Sequence, residues 1–232
     1  MNEFLNKSLH RLRSAFESLP SDCLLCGVPC AHGLCAGCWA ELPRLPSPQC
    51  PVCAEPVPVA GVCGRCLAAA PAFTRTYACY RYDGWLATAI QAAKFGQRWS
   101  IFPVLAQAML RDLAAVDAQL IVPVPLAAAR LAERGYNQSV EIAAVLARGW
   151  RRPLLTDLLL RKRDGEHQAR LRRSARLRNL RASFETARPL HREHVLLVDD
   201  VMTSGATLQA CAKTLLRAGA GRVDCCVLAR TL

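Results

Sequence analysis

Two adjacent carboxylates stand beside a short stretch suited to binding an anion, in the segment VLLVDDVMTSGATLQA at 195–210. Asp199 and Asp200 follow four apolar residues, and a turn with little side-chain bulk comes before a predicted helix. Backbone N–H groups of such a turn, together with the helix N-terminus, bind phosphate monoesters. The residues of the predicted turn are Thr203, Ser204, Gly205, Ala206 and Thr207.

The two acids must face something other than the phosphate, because a carboxylate would repel it. Sugar hydroxyls donate hydrogen bonds to carboxylates, and a magnesium ion is a second suitable partner. A ribose 5-phosphate, with its phosphate on the turn and its hydroxyls on the acids, satisfies both parts of the segment. The simpler alternative is a strand-to-helix turn in which Thr203 or Ser204 is the N-cap. That alternative suits an isolated acid pair but leaves the rest of the string unexplained.

Eight of the thirteen cysteines form four Cys-x-x-Cys pairs between residues 23 and 66. Two such turns bring four thiolates onto one zinc ion in a closed, structural site. We expect sequential pairing, although a cross-braced arrangement of the first pair with the third stays open. The expected sites are Cys23, Cys26, Cys35 and Cys38, then Cys50, Cys53, Cys63 and Cys66. A redox function of the pairs is a weaker alternative, since four pairs packed this closely favour metal.

The acid pair must be positioned by the elements around it, and these follow an alternating pattern. Apolar runs typical of buried strands alternate with Ala/Leu-rich stretches typical of helices. The predicted strands are 118–125, 194–200 and 222–230, and the predicted helices are 139–150 and 207–220. This alternation predicts an α/β domain with a mostly parallel sheet. Ligands of such sheets bind beyond the carboxyl ends of the strands, which is where the acid pair lies.

Composition limits the classes of partner. The net charge of +12 favours polyanions such as nucleic acid, nucleotides or phosphorylated small molecules. Residues 1–20 have Leu5, Leu9, Leu12 and Phe16 at helical spacing, which predicts an amphipathic helix that docks on the protein's own core. The same segment lacks the compact apolar core of a signal peptide, and no apolar run is long enough to cross a membrane. We therefore expect a cytoplasmic protein without a transmembrane segment.

The string LLVDDVMTSGAT resembles the phosphoribosyl pyrophosphate motif of type I phosphoribosyltransferases. The rest of the chain is similar to the ComF branch (competence protein F/GntX), from about residue 20 onward. The doubled cysteine module is similar to the N-terminus of longer ComF members. The other matching stretches are AAKFGQR around Lys94, VPVPL at 122–126, RLAERGYNQS at 130–139, and HQARLRRSARLRN with Gln168, Arg176 and Asn179.

The resemblance implies a mostly parallel type I phosphoribosyltransferase fold and assigns roles to residues. Asp199 and Asp200 would hold the ribose hydroxyls, and Thr203–Thr207 would cradle the 5-phosphate. The loop Pro123-Val124-Pro125 would bind pyrophosphate, with phosphoribosyl pyrophosphate accompanied by Mg²⁺. The cations that would neutralise the leaving pyrophosphate are Arg130, Arg134 and Lys94. The expected domains are the N-terminal helix at 1–20, a double zinc ribbon with two Zn²⁺ sites at 21–70, and a phosphoribosyltransferase-like domain at 75–232.

Two functions from different classes fit these features. The first is a phosphoribosyltransferase linked to natural competence and DNA uptake, which transfers its sugar to an unknown acceptor. The second is a non-catalytic protein that senses phosphoribosyl pyrophosphate and binds single-stranded DNA or a helicase-like partner. An acceptor pocket separates them, because only the enzyme needs one. The basic stretch 161–181, with nine Lys or Arg, is a solvated helical face, a nucleic-acid contact or a lid over phosphates.

Overall fold

The computed structural model describes residues 21–31, 33–96, 100–161 and 184–232. It divides into two compact units, the first ending at Leu42 and the second spanning Pro43–Leu232. The predicted N-terminal helix at 1–20 lies outside the described residues. So do Gln168, Arg176 and Asn179, with the greater part of the basic stretch.

The first unit is a small cysteine-bearing module. Strand β1 (Ser21–Asp22) pairs antiparallel with β2 (Pro29–Cys30), and helix α1 (Ala36–Ala40) follows. Cys35 is the N-cap of this helix, and its Sγ accepts a hydrogen bond from the backbone N–H of Cys38 at 3.4 Å. The turns of this unit therefore bring its cysteine sulfurs together.

The second unit contains the remaining described elements. Its strands are β3 (Thr76–Arg81), β4 (Leu120–Pro123), β5 (Leu159–Arg161), β6 (Phe184–Thr186), β7 (His194–Met202) and β8 (Arg222–Arg230). Its helices are α2 (Gly64–Ala68), α3 (Gly84–Phe95), α4 (Ile101–Asp112), α5 (Ala128–Arg134), α6 (Gln138–Trp150) and α7 (Ala206–Arg217). Strands β5 and β6 form a separate antiparallel pair.

The main sheet has the strand order β3-β8-β7-β4, and every neighbouring pair is parallel. Its central strands β7 and β8 are buried along most of their length, as expected for parallel strands that are covered on both faces. Leu197, for example, lies between Val122 of β4 and Cys225 of β8 and is fully buried. The predicted α/β fold with a mostly parallel sheet is confirmed.

Side chains alternate between the two faces of the sheet. Val195 and Leu197 belong to a core cluster that also holds Leu208 and Leu215 of α7 and the cysteine Cys50. On β7 the alternate residues point to the opposite face, and α6 packs against β7 and β4. Because all four strands run in one direction, the carboxyl ends of β4 and β7 lie at the same edge of the sheet. The acid pair lies at this edge.

Candidate functional site

Strand β7 carries Asp199 and Asp200 within its own length, because pairing with β8 continues as far as Met202. The acids are therefore not in a solvated loop: Asp199 is 9% exposed and Asp200 is 4% exposed. Burying two carboxylates is unfavourable unless donors or cations compensate them. The surrounding residues supply that compensation.

The N-terminus of α6 provides hydrogen-bond donors for both acids. Ser139 Oγ donates to Oδ1 of Asp199 at 2.8 Å, and Gln138 Nε2 donates to Oδ1 of Asp200 at 3.3 Å. The backbone N–H of Asp200 also donates to Oδ1 of Asp199, at 2.9 Å. Each carboxylate is thus oriented by a buried neutral side chain of the same helix.

Lys94 brings a positive charge to the acid pair. It lies in the last turn of α3, and its Nζ forms an ion pair with Oδ2 of Asp200. The end of α3 is held in place by Tyr136, whose hydroxyl donates to the backbone carbonyl of Ala93 at 2.6 Å. The structure therefore brings Lys94 to the acid pair itself.

The pKa of Asp199 reflects these surroundings. Burial and the neighbouring charge of Asp200 raise it to about 7, while the hydrogen bonds from Ser139 and from the backbone act in the opposite direction. A carboxyl with this pKa changes its charge near neutral pH. Its capacity to accept hydrogen bonds from a ligand therefore depends on pH in the neutral range.

The predicted phosphate-binding turn joins β7 to α7. Thr203 and Ser204 are exposed, and Gly205 is the N-cap of α7 with a φ of +76°. The positive φ of Gly205 favours glycine there, and a Cβ at this position would lie 2.7 Å from Cε of the flexible Met202 side chain. Helix α7 starts at Ala206, so Ala206 and Thr207 belong to its first turn. The N–H groups of the helix N-terminus thus follow the exposed turn directly.

The predicted pyrophosphate loop follows β4. Pro123 is the last residue of that strand, and the N–H of Val124 donates to the carbonyl of Val198 on β7 at 2.8 Å. The carbonyl of Val124 accepts a hydrogen bond from Asn137 Nδ2 at 3.0 Å. Pro125 beyond it is half-buried. The loop is therefore tied to the strand of the acid pair on one side and to the start of α6 on the other.

The two predicted arginines lie on α5. Arg134 is in its last turn, and its Nη1 donates to Oε1 of Gln138 at 2.7 Å. Since Gln138 also contacts Asp200, Arg134 is connected to the acid pair through one side chain. Arg130 lies one turn earlier and is exposed to solvent. The structure therefore brings Arg134 into the site's hydrogen-bond network and leaves Arg130 on the surface of the same helix.

Sequence reasoning had not assigned roles to Asn137, Gln138 or Ser139, although the motif RLAERGYNQS contains them. Their shared signal is a run of three polar residues directly in front of an apolar helical stretch. Such a run usually indicates only a helix cap, and Asn137 does cap α6, its Oδ1 accepting from the N–H of Ser139 at 3.0 Å. The contacts with Asp199 and Asp200 depend on tertiary folding across about 60 residues of chain.

The cysteines form two four-sulfur clusters with sequential membership. Within each cluster the Sγ atoms lie within 4.8 Å of one another, and the Cys26–Cys35 and Cys53–Cys63 sulfur pairs are each 3.6 Å apart. Tetrahedral zinc with bonds of about 2.3 Å separates neighbouring sulfurs by about 3.8 Å, which fits these clusters. The clusters are Cys23, Cys26, Cys35 and Cys38 in the first unit, and Cys50, Cys53, Cys63 and Cys66 in the second.

Backbone donors tune the thiols of these clusters. Burial raises the pKa of Cys50, but N–H donors outweigh it and lower the pKa to about 6; one donor is the Cys63 N–H, 3.3 Å from the sulfur. Burial and the hydrogen-bonded thiols of Cys53 and Cys63 raise the pKa of Cys66. Bound zinc would convert all four to thiolates, and the N–H donors favour that charged form.

The second cluster is built into the core of the sheet domain. Cys50, Cys53 and Cys66 are buried in the same apolar cluster as residues of β7, β8 and α7. Arg65 Nη2 contacts the sulfur of Cys53 at 3.7 Å and Glu55 Oε2 at 3.3 Å. The same oxygen of Glu55 forms an ion pair with Nη2 of Arg230, a buried residue at the end of β8. The metal cluster is thus linked to the main sheet by apolar packing and by charge.

Two cavities in the described part of the second unit lie away from the acid pair. One, of about 420 Å³, is lined by residues of α7 that include Lys213 and Arg217. The other, of about 340 Å³, lies along β3 near Tyr77 and Asp112. Neither is lined by Asp199 or Asp200, so neither is assigned as an acceptor pocket. Among the described residues, the helices are all too short or too polar to cross a membrane.

The sheet, the acid pair with its adjoining turn, and the paired cysteine clusters define a phosphoribosyltransferase-type domain with a double zinc ribbon. The chain matches the family described as "Double zinc ribbon domain" over residues 18–67 and the one described as "Phosphoribosyl transferase domain" over residues 137–232. It belongs to the ComF family, as its sequence motifs indicated. The two cysteine clusters are accordingly zinc-binding sites.

Three relatives each align with most of the chain. DNA utilization protein YhgH of Escherichia coli strain K12 is 33% identical over 226 residues, which is 93% of this chain and 99% of the relative. Competence protein F of Haemophilus influenzae is 32% identical over 212 residues, which is 86% of this chain and 91% of the relative. Competence protein ComFC of Bacillus subtilis is 26% identical over 196 residues, which is 80% of this chain and 79% of the relative.

The likeness to solved structures is partial. Glutamine phosphoribosylpyrophosphate amidotransferase from B. subtilis is similar over 56% of this chain and 26% of its own, with 23% identity and a TM-score of 0.41.

Proposed function

We propose that the chain binds phosphoribosyl pyrophosphate with Mg²⁺ at the acid pair and transfers the phosphoribosyl group to an acceptor, releasing pyrophosphate. The observation that carries this proposal is the pair Asp199–Asp200, buried at the carboxyl edge of a parallel sheet and directly followed by the Thr203–Gly205 turn. Acids for hydroxyls and a turn for phosphate are the two requirements of a ribose 5-phosphate ligand.

The ribose end of the ligand is assigned to β7 and α7. Asp199 and Asp200 accept hydrogen bonds from the ribose hydroxyls. The backbone N–H groups of the Thr203–Gly205 turn and of the first turn of α7 bind the 5-phosphate, assisted by the positive end of the helix dipole. Ser204 and Thr207 offer hydroxyl groups at the same place.

The pyrophosphate end is assigned to the loop after β4. In the transfer, the bond from the sugar C1 to the pyrophosphate oxygen breaks, and its electron pair leaves with pyrophosphate. A lone pair of the acceptor forms the new bond to C1, and the acceptor then loses a proton. Charge collects on the leaving group, so Arg134, Arg130 and Lys94 serve as its cations. Lys94 also forms an ion pair with Asp200.

Mg²⁺ fits this site as a companion of the substrate. Apart from the cysteine clusters, the described residues contain no convergent group of three metal-ligating side chains. Mg²⁺ is commonly bound through substrate phosphates with few protein ligands, which agrees with that donor set. When bound with pyrophosphate, the ion would stabilise negative charge on the leaving group.

A non-catalytic, ligand-sensing protein is the second candidate. The observation that favours it is the strongly basic composition of the chain. In this version the bound sugar phosphate regulates contact with single-stranded DNA or a DNA-uptake helicase, and the net charge of +12 favours the nucleic acid. Both candidates connect the chain with the use of incoming DNA, because the relatives carry the names competence protein and DNA utilization protein. A cytoplasmic location is part of both, since zinc-thiolate sites require reduced cysteines.

A pyrophosphate-release screen separates the two candidates. The full chain, loaded with zinc, is mixed with phosphoribosyl pyrophosphate, Mg²⁺ and a panel of nucleobases and amines. Release of pyrophosphate that depends on one acceptor, and that is lost in Asp200→Asn, supports the transferase. Tight binding of phosphoribosyl pyrophosphate without release for any acceptor supports the sensor. The absence of binding contradicts both.

A further inference from the structure

Three consecutive side chains at the start of α6 contact three different parts of the site. Asn137 Nδ2 donates to the carbonyl of Val124 in the loop after β4. Gln138 Nε2 donates to Asp200, and Ser139 Oγ donates to Asp199. The segment Asn137–Ser139 therefore joins the loop assigned to pyrophosphate with both acids assigned to ribose.

The segment is held rigidly. Gly135 ends α5 in a left-handed conformation with a φ of +79°, which lets the chain turn directly into α6. Asn137 then caps α6, and that helix packs along α4 and against β7. Gln138 is 6% exposed and Ser139 is 1% exposed, so both side chains have little freedom to change rotamer. The segment thus forms a continuous hydrogen-bonded connection between the loop and the acid pair.

Gln138 has a particular role because its amide both accepts and donates. Its Oε1 accepts from Nη1 of Arg134, and its Nε2 donates to Oδ1 of Asp200. The neutral amide thereby holds a cation and a carboxylate close together without pairing them. A direct pair of Arg134 with Asp200 would occupy the groups that the ligand needs. The bridge leaves the other N–H groups of Arg134 for a phosphate, while Oδ2 of Asp200 pairs with Lys94.

We infer that Gln138, supported by Asn137, is a positioning residue that couples the pyrophosphate half of the site to the ribose half. The inference rests on the proposed function. It adds a thermodynamic property that binding alone does not require. Pyrophosphate bound at the loop increases the affinity of the acid pair for ribose 5-phosphate, and bound ribose 5-phosphate increases the affinity of the loop for pyrophosphate.

Separate binding of the two half-ligands tests this coupling. Calorimetry on the zinc-loaded full chain measures the affinity for ribose 5-phosphate with and without Mg²⁺-pyrophosphate, and the affinity for phosphoribosyl pyrophosphate. In the wild type the two half-ligands strengthen each other. In Gln138→Leu the mutual strengthening of the two half-ligands disappears, and phosphoribosyl pyrophosphate binds about tenfold more weakly than to the wild type.

A second variant of Gln138 and a control variant elsewhere in the sheet domain complete the test. Gln138→Glu preserves size and the bond from Arg134, but it cannot donate to Asp200, so the coupling is lost there too. Gln119→Leu removes a glutamine whose Oε1 accepts from the N–H of His194 at the opposite edge of the sheet, and it leaves the coupling intact. Thermal unfolding of all variants reports any loss of fold independently.

The possible outcomes distinguish failure of the positioning role of Gln138 from failure of the proposed function. If the wild type binds neither phosphoribosyl pyrophosphate nor the half-ligands, the proposed function is wrong, and the inference fails with it. If the wild type binds and couples them, but a folded Gln138→Leu or Gln138→Glu variant couples them equally, the positioning role of Gln138 is wrong while the proposed function stands. If the folded wild type binds them without mutual strengthening, the inference is wrong as well.

Discussion

Ser139 Oγ donates a 2.8 Å hydrogen bond to Oδ1 of Asp199, and both residues are buried at the carboxyl edge of the sheet. The hydroxyl comes from α6 and the carboxyl from β7, so this one bond fixes the first turn of a helix to the strand that carries the acid pair. It stabilises the ionised carboxylate against burial and against the charge of Asp200. The raised pKa of Asp199 reflects this balance.

We expect the affinity for ribose 5-phosphate to increase as the pH rises through about 7. Asp199 has a pKa of about 7, and only its ionised form accepts hydrogen bonds with both oxygens. Its raised pKa also means that the folded state binds a proton more tightly than the unfolded chain does. Between about pH 4 and pH 7 the unfolded chain has released this proton while the folded state still holds it. The free energy of unfolding therefore falls as the pH rises through this range. Calorimetry between about pH 6 and pH 8 measures the binding effect.

The control for this pH dependence is Asp199→Asn, which removes the titrating carboxyl and leaves the ionisation of the ligand. The other groups near Asp199 do not replace it: burial raises the pKa of Cys211 and Cys225 well above neutrality, and Lys94 pairs with Asp200. The same pH dependence in the wild type and in the variant would show that Asp199 does not control binding.

Ser139→Ala should shift the pH dependence upward. Loss of the hydroxyl removes a hydrogen bond that favours the carboxylate, so the pKa of Asp199 rises further and binding improves only at higher pH. The free energy of unfolding should fall by about 1–3 kcal/mol, because a buried carboxylate loses one of its two donors. Chemical denaturation and the binding profile measure the two effects. Ser204→Ala, at an exposed position, should change the unfolding free energy little, and an unshifted profile in Ser139→Ala would refute the role of the hydroxyl.

Gly205→Ala should destabilise the second unit and weaken phosphate binding together. The φ of +76° disfavours an L side chain, and the added Cβ would lie 2.7 Å from Cε of Met202. We expect a loss of about 1–2 kcal/mol in stability and a weaker affinity for ribose 5-phosphate. Gly64→Ala is the matched control, because that glycine has no positive φ and has open space around its Cα. Unchanged phosphate binding in a strained Gly205→Ala variant would place the phosphate elsewhere.

The two zinc sites should differ in what they stabilise. Metal analysis should find about two zinc ions per chain, with one lost in Cys35→Ser and one in Cys63→Ser. Only Cys63→Ser should increase hydrogen exchange in β7 and β8, because its cluster shares their apolar core and connects through Glu55 to Arg230. Equal protection of β7 and β8 in the two variants would contradict this difference.

What neighbouring residues determine was predictable from local sequence. The sequential cysteine clusters and the place of Asp199 and Asp200 at the carboxyl end of a buried strand follow from short strings. The contacts of Gln138 with Asp200 and of Glu55 with Arg230 join residues far apart in the chain, and no periodicity encodes them. The start of α7 at Ala206 also required the structure, since several small and hydroxyl residues before it are equally suitable N-caps.

Titration with phosphoribosyl pyrophosphate and Mg²⁺ tests the central claim most directly. The wild type should bind the ligand, and Asp200→Asn should bind it about 10- to 100-fold more weakly, because a charged acceptor of the ribose hydroxyls becomes neutral. Thermal unfolding confirms that the variant remains folded. Equal affinity of the folded variant and the wild type, or no binding by either, would contradict the assignment of the acid pair as the phosphoribosyl pyrophosphate site.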